Sequence, residues 1–290
     1  MNDEEFKSAV NRYQVEIKAY KVRSESAFVN LEKAREPYDV FFEDLLTYYL
    51  FASMLADKKI LDDRPEYEWP LITLYAKATS DLLGILLSFR GGCLVGGTAI
   101  CRTLFEVFVR VKFILQEDAK ERLRLHANYH HVTRWLRLKY NPAAKKDNKV
   151  KAEIETAYDK VKGDYHPKKP YSWAYALFPE RIKENRNPTL RDIAGRVGLL
   201  DEYDNMYGLL SIPVHANPLV GNQLVISEDV IGVAPRYSPS MYSIGLLGVF
   251  YLKEIIDTVV EYIKCQDWEG IQAFNLYYLA DRLGKYKFQV

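Results

Sequence analysis

An all-α, multi-helix bundle is the fold class that this 290-residue sequence predicts. Three observations carry the expectation. Residues 3–34 place apolar side chains at helical spacings among many charges, with no glycine or proline to break them. Residues 69–89 and 93–116 are apolar around most of their circumference, which marks helices at the centre of a bundle. Three prolines mark helix ends: Pro37 and Pro239 stand where helices open, and Pro142 stands just past where one stops.

Taken in order, the first helix is amphipathic, with Phe6, Val10, Tyr13, Ile17 and Tyr20 on its apolar face. The second runs from Pro37 through Phe41, Leu45 and Tyr48 to Leu55, and a polar loop containing Pro65 follows. Between the two central helices, Gly91, Gly92, Gly96 and Gly97 provide a turn and then a close backbone approach. They lack the following Gly-Lys-Ser/Thr of a phosphate-binding loop, so no nucleotide cofactor is expected there. Asp118 and Glu121 have the spacing of a capping box for a fifth helix ending near Tyr140. Thr189 caps a short helix, and Asp201 opens one that reaches Ser211 before Pro213 bends or ends it. Residues 223–233 alternate around a polar centre and predict one small β-hairpin. Ser238 and Pro239 then open a long apolar helix to about Ile263, and Asp267 caps the last, which ends near Gly284.

The expected organisation is a single helical domain over 1–290. It comprises N-terminal helices at 1–67, a bundle core at 68–142 and 188–285, and a polar, Lys-rich and aromatic insertion at 143–187.

Forty basic residues balance 39 acidic ones, so the chain as a whole exerts no pull on polyanions and any such binding must be local. Cys93, Cys101 and Cys265 lack paired zinc spacing and suit a reducing compartment. The acidic start, Asn2-Asp3-Glu4-Glu5, does not resemble a secretory signal, and a cytoplasmic location is expected. The most apolar stretch, residues 71–115, is interrupted by Lys77, Asp81, Arg90, Arg102, Glu106 and Arg110. Each ion at a bilayer centre costs roughly 2.5–3.5 kcal/mol, so these read as buried helices and not as membrane spans.

Four constellations could carry chemistry. Arg102, Glu106 and Arg110, spaced by four, stack on one face of an otherwise apolar helix. They read either as an ion-pair ladder fixing the helix or as a site in which Glu106 is a base and Arg102 an anion clamp. Arg122, Arg124, His126, His130 and His131 crowd the fifth helix. Arg124 with His130 could hold a scissile phosphate and move a ribose 2′-hydroxyl proton, while His126 with His130 could share a metal, although no HExxH pattern supports that. His215 stands with Ser211, Tyr207 and Asn217 at the Pro213 kink, without the glycine-flanked elbow of a serine hydrolase. The lysines of the insertion, interleaved with Tyr158, Tyr165, Tyr171 and Trp173, could follow a single strand and stack its bases, though five acids dilute their charge.

The run Phe89-Arg90-Gly91-Gly92, then Ala99-Ile100-Cys101-Arg102-Thr103-Leu104-Phe105-Glu106, then Tyr207-Gly208-Leu209-Leu210-Ser211 and Val214-His215 resembles an uncharacterised bacterial helical family, domain of unknown function 5677, over about residues 70–260. That resemblance implies that Arg102, Glu106 and His215 converge. A more distant resemblance, through Arg124 and His130, is to HEPN-type helical ribonucleases, many of them dimeric toxins or antiviral effectors; here Leu125 directly follows the arginine. The expectation is therefore a bacterial cytosolic effector that cleaves RNA without a metal. The alternatives are a non-catalytic subunit that binds a protein partner, or a second copy of itself, through the first helix, and a carboxylate–histidine metal enzyme.

Overall fold

The computed structural model describes residues 33–60, 65–141, 147–165, 172–211, 224–227, 230–233 and 237–286. The expected first helix, and with it the expected partner-binding face, lies outside the described residues except for its last two positions. The described chain forms α1 (Asp39–Leu55), α2 (Trp69–Arg90), α3 (Leu94–Gln116), α4 (Ala119–Tyr140), α5 (Asn148–Asp159), α6 (Pro179–Lys183) and α7 (Leu190–Arg196). There follow α8 (Leu200–Glu202), a π-helical turn (Tyr203–Tyr207), α9 (Gly208–Ser211), α10 (Ser240–Tyr262) and α11 (Trp268–Tyr277). Strands β1 (Leu224–Ser227) and β2 (Val230–Val233) pair antiparallel, with Leu224 opposite Val233, as the expected hairpin. The protein is an all-α bundle carrying that one hairpin.

The centre is the triangle of α2, α3 and α10, with α1 laid against α2 and α10. Tyr251 of α10 sits between two rings of α3, edge-on to Phe105 at 5.2 Å and stacked on Phe108 at 5.6 Å between centroids. Residues 66–90 are long and apolar enough to cross a bilayer, but half of their most apolar window is buried in the bundle. Their apolarity is what a helix packed between three others requires.

The α2–α3 turn is where glycine is needed. Gly92 has φ of 69°, and the amides of Gly91, Gly92 and Cys93 bond back to the last turn of α2. One turn into α3, a Cβ on Gly97 would lie 2.1 Å from Phe89 Cε1, whose ring is fully buried. The two helices close on each other because position 97 has no side chain.

Polar groups tie the far end of the chain to the core. Tyr48 donates to Asn275 at 2.8 Å, and Asn275 donates to Asp257 at 2.8 Å. The buried carboxylate of Asp44 accepts from Tyr286 at 2.8 Å and pairs with Lys285 at 2.9 Å.

Three expectations need correction. Asp267 stands at the N-cap of α11, but its side chain makes no capping bond. Asp118 precedes α4 with φ of 40°, a left-handed conformation, and its side chain makes no capping bond. An N-cap side chain reaches the first free amides from extended backbone, so the capping box does not form, and Glu121 turns to Arg124 instead. The true capping box is at Thr189, where the threonine and Asp192 bond each other's backbone amides. The described part of the expected polar insertion also contributes to the common core: Tyr165, Trp173 and Phe178 are buried in it, with Phe178 stacked on Phe113 at 5.6 Å.

Gly97→Ala is expected to lower the free energy of unfolding by about 1–3 kcal/mol, because overpacking against Phe89 outweighs the higher helix propensity of alanine. Denaturant unfolding checks this; a variant as stable as the parent would contradict the packing described.

Candidate functional site

Four-residue spacing puts Arg102, Glu106 and Arg110 on one face of α3, while Cys101, Leu104, Phe105, Phe108 and Val109 fill the core. The three charged side chains lie at the boundary, 21%, 20% and 29% exposed. Glu106 is held at both oxygens. Its Oε2 accepts from Arg110 at 3.3 Å, and its Oε1 accepts from the hydroxyl of Tyr207 at 3.0 Å. Arg102 donates to the same hydroxyl at 2.6 Å, and its guanidinium carbon lies 4.7 Å from the centre of the Tyr207 ring. A guanidinium has no acceptor, so the phenolic proton of Tyr207 must point at Glu106. Burial raises the Tyr207 pKa, keeping it a phenol at neutral pH.

Tyr207 ends the π-helical turn Tyr203–Tyr207 and stacks on Tyr203 at 4.7 Å. Such turns shift side chains out of α-helical register and recur at functional sites. Here the turn brings a hydroxyl onto the α3 ladder from 101 residues away. The sequence grouped Tyr207 with Ser211 and His215. Ser211 does bond the Tyr207 carbonyl at 2.6 Å, but His215 lies outside the described residues.

The helix α4 carries its candidates on different faces. Arg124 grips Glu121 with two bonds of 2.7 Å and Asp164 with one of 2.9 Å. Six residues at about 100° each put His130 about 120° away around the helix, so the expected Arg124–His130 pair is not assembled as one open site. Its arginine is engaged by two carboxylates. His130 Nδ1 lies 2.7 Å from the carbonyl of Ala127. A carbonyl only accepts, so Nδ1 carries the hydrogen of this contact.

His126 packs edge-on against Trp173 at 5.1 Å. Burial, aided by the nearby Arg110 charge, pushes its pKa down to about 4. The imidazole is therefore neutral at pH 7, and Arg110 links its surroundings to the Glu106 ladder. Among the described residues no three His, Cys, Asp or Glu side chains converge as a set of metal ligands. The base-stacking role expected of the insertion loses three of its rings: Tyr165 and Trp173 are buried, and Tyr158 is stacked on Trp135 at 4.1 Å.

The assembled set is thus Arg102, Glu106, Arg110 and Tyr207. It is a carboxylate between two guanidiniums, with a neutral phenol as second ligand and a net charge of about +1 for the group. It can take up a proton at Glu106 and hold an anion beside it.

The depressed His126 pKa fixes a pH dependence. The unfolded imidazole binds a proton below about 6.5 and the folded one only below about 4, so stability falls as pH drops through that window. The loss is on the order of 3 kcal/mol for a shift of this size. His126→Gln should lack this acid limb when unfolding free energies are compared at pH 7 and pH 4.5; parallel losses in parent and variant would contradict the assignment.

No curated protein and no solved structure matches the chain. One family model does, described as a family of unknown function, over residues 68–231. That span covers more than half of the 290 residues and contains α2, α3, α4, the π-helical turn and every described member of the ladder. The chain therefore belongs to the family of unknown function DUF5677.

Proposed function

We propose that this protein cleaves RNA without a metal, at the Arg102–Glu106–Arg110–Tyr207 ladder. The observation that carries the reading is the double seating of Glu106, bonded by Arg110 on one oxygen and by Tyr207 on the other, at a boundary that solvent reaches. Cleavage of RNA through its own 2′-hydroxyl needs a base for that hydroxyl, cations for the charge on the pentacoordinate phosphorus, and an acid for the leaving oxygen.

Glu106 takes the 2′-hydroxyl proton, and the freed oxygen forms its bond to phosphorus as the bond to the 5′-oxygen breaks. Arg102 and Arg110 lie on either side of the carboxylate and offset the charge that builds on the phosphoryl oxygens. Tyr207 gives its proton to the departing 5′-oxygen and recovers one from Glu106 along the hydrogen bond they already share. The products are a 2′,3′-cyclic phosphate and a 5′-hydroxyl, and the protein returns to its starting protonation.

The expected resemblance to HEPN-type ribonucleases suggests RNA as the substrate class, and the family match does not extend to it. The residues it singled out, Arg124 and His130, are not used in this scheme, because Glu121 and Asp164 hold the arginine. In this reading the protein is a cytoplasmic effector of the toxin or antiviral type.

Purified protein in excess chelator should cleave a mixed-sequence RNA and leave cyclic-phosphate ends. Glu106→Gln should slow cleavage by about 10²–10⁴-fold with the fold intact, and Tyr207→Phe should also slow it. His215→Ala tests whether that histidine, and not Tyr207, supplies the leaving-group proton. Undiminished cleavage by Glu106→Gln, or no cleavage by the well-folded parent, would overturn the proposal.

A further inference from the structure

Away from the ladder, the start of α2 and one face of α4 enclose an open groove of about 670 Å³, lined by Glu66, Trp69, Thr73, Leu74, His126 and His130 among others. Trp69 is 56% exposed, although it stands at the head of a helix apolar enough to cross a bilayer. An indole left in water beside a groove is a flat surface on which another ring can stack.

The opposite wall has polar edges of defined character. His126 is neutral at pH 7, and His130 gives its Nδ1 hydrogen to the carbonyl of Ala127. Along the same helix face, at spacings of four and three, come Arg134 and Arg137, both exposed and with no carboxylate partner among the described residues. Helix α4 as a whole holds six lysines and arginines against one glutamate, in a chain that is otherwise near neutral. A ring-sized slot floored by tryptophan thus continues into a basic track on one helix face.

We propose that this groove seats one unpaired base of a single-stranded RNA, stacked on Trp69 with its edge toward His126 and His130, while the adjoining phosphates run over Arg134 and Arg137. The proposal rests on RNA as the substrate, and it adds a recognition subsite that the ladder does not contain. Stacking reads the face common to all bases, so the site favours unpaired over paired RNA and has little sequence preference. The carboxylate of Glu66, on the Trp69 wall, disfavours a phosphate inside the slot itself.

The probe is a fluorescein-labelled, single-stranded 2′-O-methyl RNA decamer, which lacks the nucleophile for cleavage, bound to the full-length protein and followed by anisotropy. The parent should bind it more tightly than the same sequence as a duplex. Trp69→Ala should weaken binding roughly ten-fold or more, and Trp69→Phe, which restores a ring, should recover most of the loss. Arg134→Gln and Arg137→Gln should each weaken binding and flatten the dependence of log Kd on log salt by about 0.7. Equal binding by parent and Trp69→Ala, or no measurable binding by the parent, would overturn the subsite. Because the probe cannot be cleaved, the outcome is independent of the ladder. Binding that depends on Trp69 beside undiminished cleavage by Glu106→Gln would keep the subsite and discard the catalytic assignment.

Discussion

The packing of α3 against α2 and α10 is the constraint on which the rest depends. Position 97 lets the start of α3 close on Phe89, and Tyr251 locks its middle through Phe105 and Phe108. A helix held this tightly has little freedom to rotate. Its one stripe of charge is therefore placed by apolar packing at the edge of the core, where the π-helical turn meets it.

That placement has an electrostatic consequence. Three charges about four-fifths covered lose much of their hydration, and pairing recovers only part of the loss. Apolar residues of similar size would satisfy the same boundary at least as well. In the proposed reading the arrangement is kept for its chemistry and not for stability, and the neutral state of His126 fits the same field, since Arg110 opposes a further positive charge beside it.

The helices were legible because their punctuation is local. Pro37, Ser238 and Pro239 lie within a few residues of observed helix starts, and the four-residue spacing of Arg102, Glu106 and Arg110 fixed their common face. The partner of that face was not legible. Tyr207 meets it only through a π-helical turn, which inserts one residue into a helix without any signature in the spacing of side chains. Asp118 misled for a related reason: capping depends on a backbone conformation that the residue type permits but does not dictate. The burial of Tyr165, Trp173 and Phe178 was hidden because they lie on short pieces with no period to reveal an inward face.

The central claim is that the ladder exists for its chemistry. The most direct measurement replaces all of it together, Arg102→Met, Glu106→Leu, Arg110→Met and Tyr207→Phe, and compares the unfolding free energy of that variant with the parent's. The account predicts a fold as stable as the parent or more so, since desolvated charges give way to apolar packing. A loss of several kcal/mol would contradict it and identify the ladder as a structural strut of the bundle.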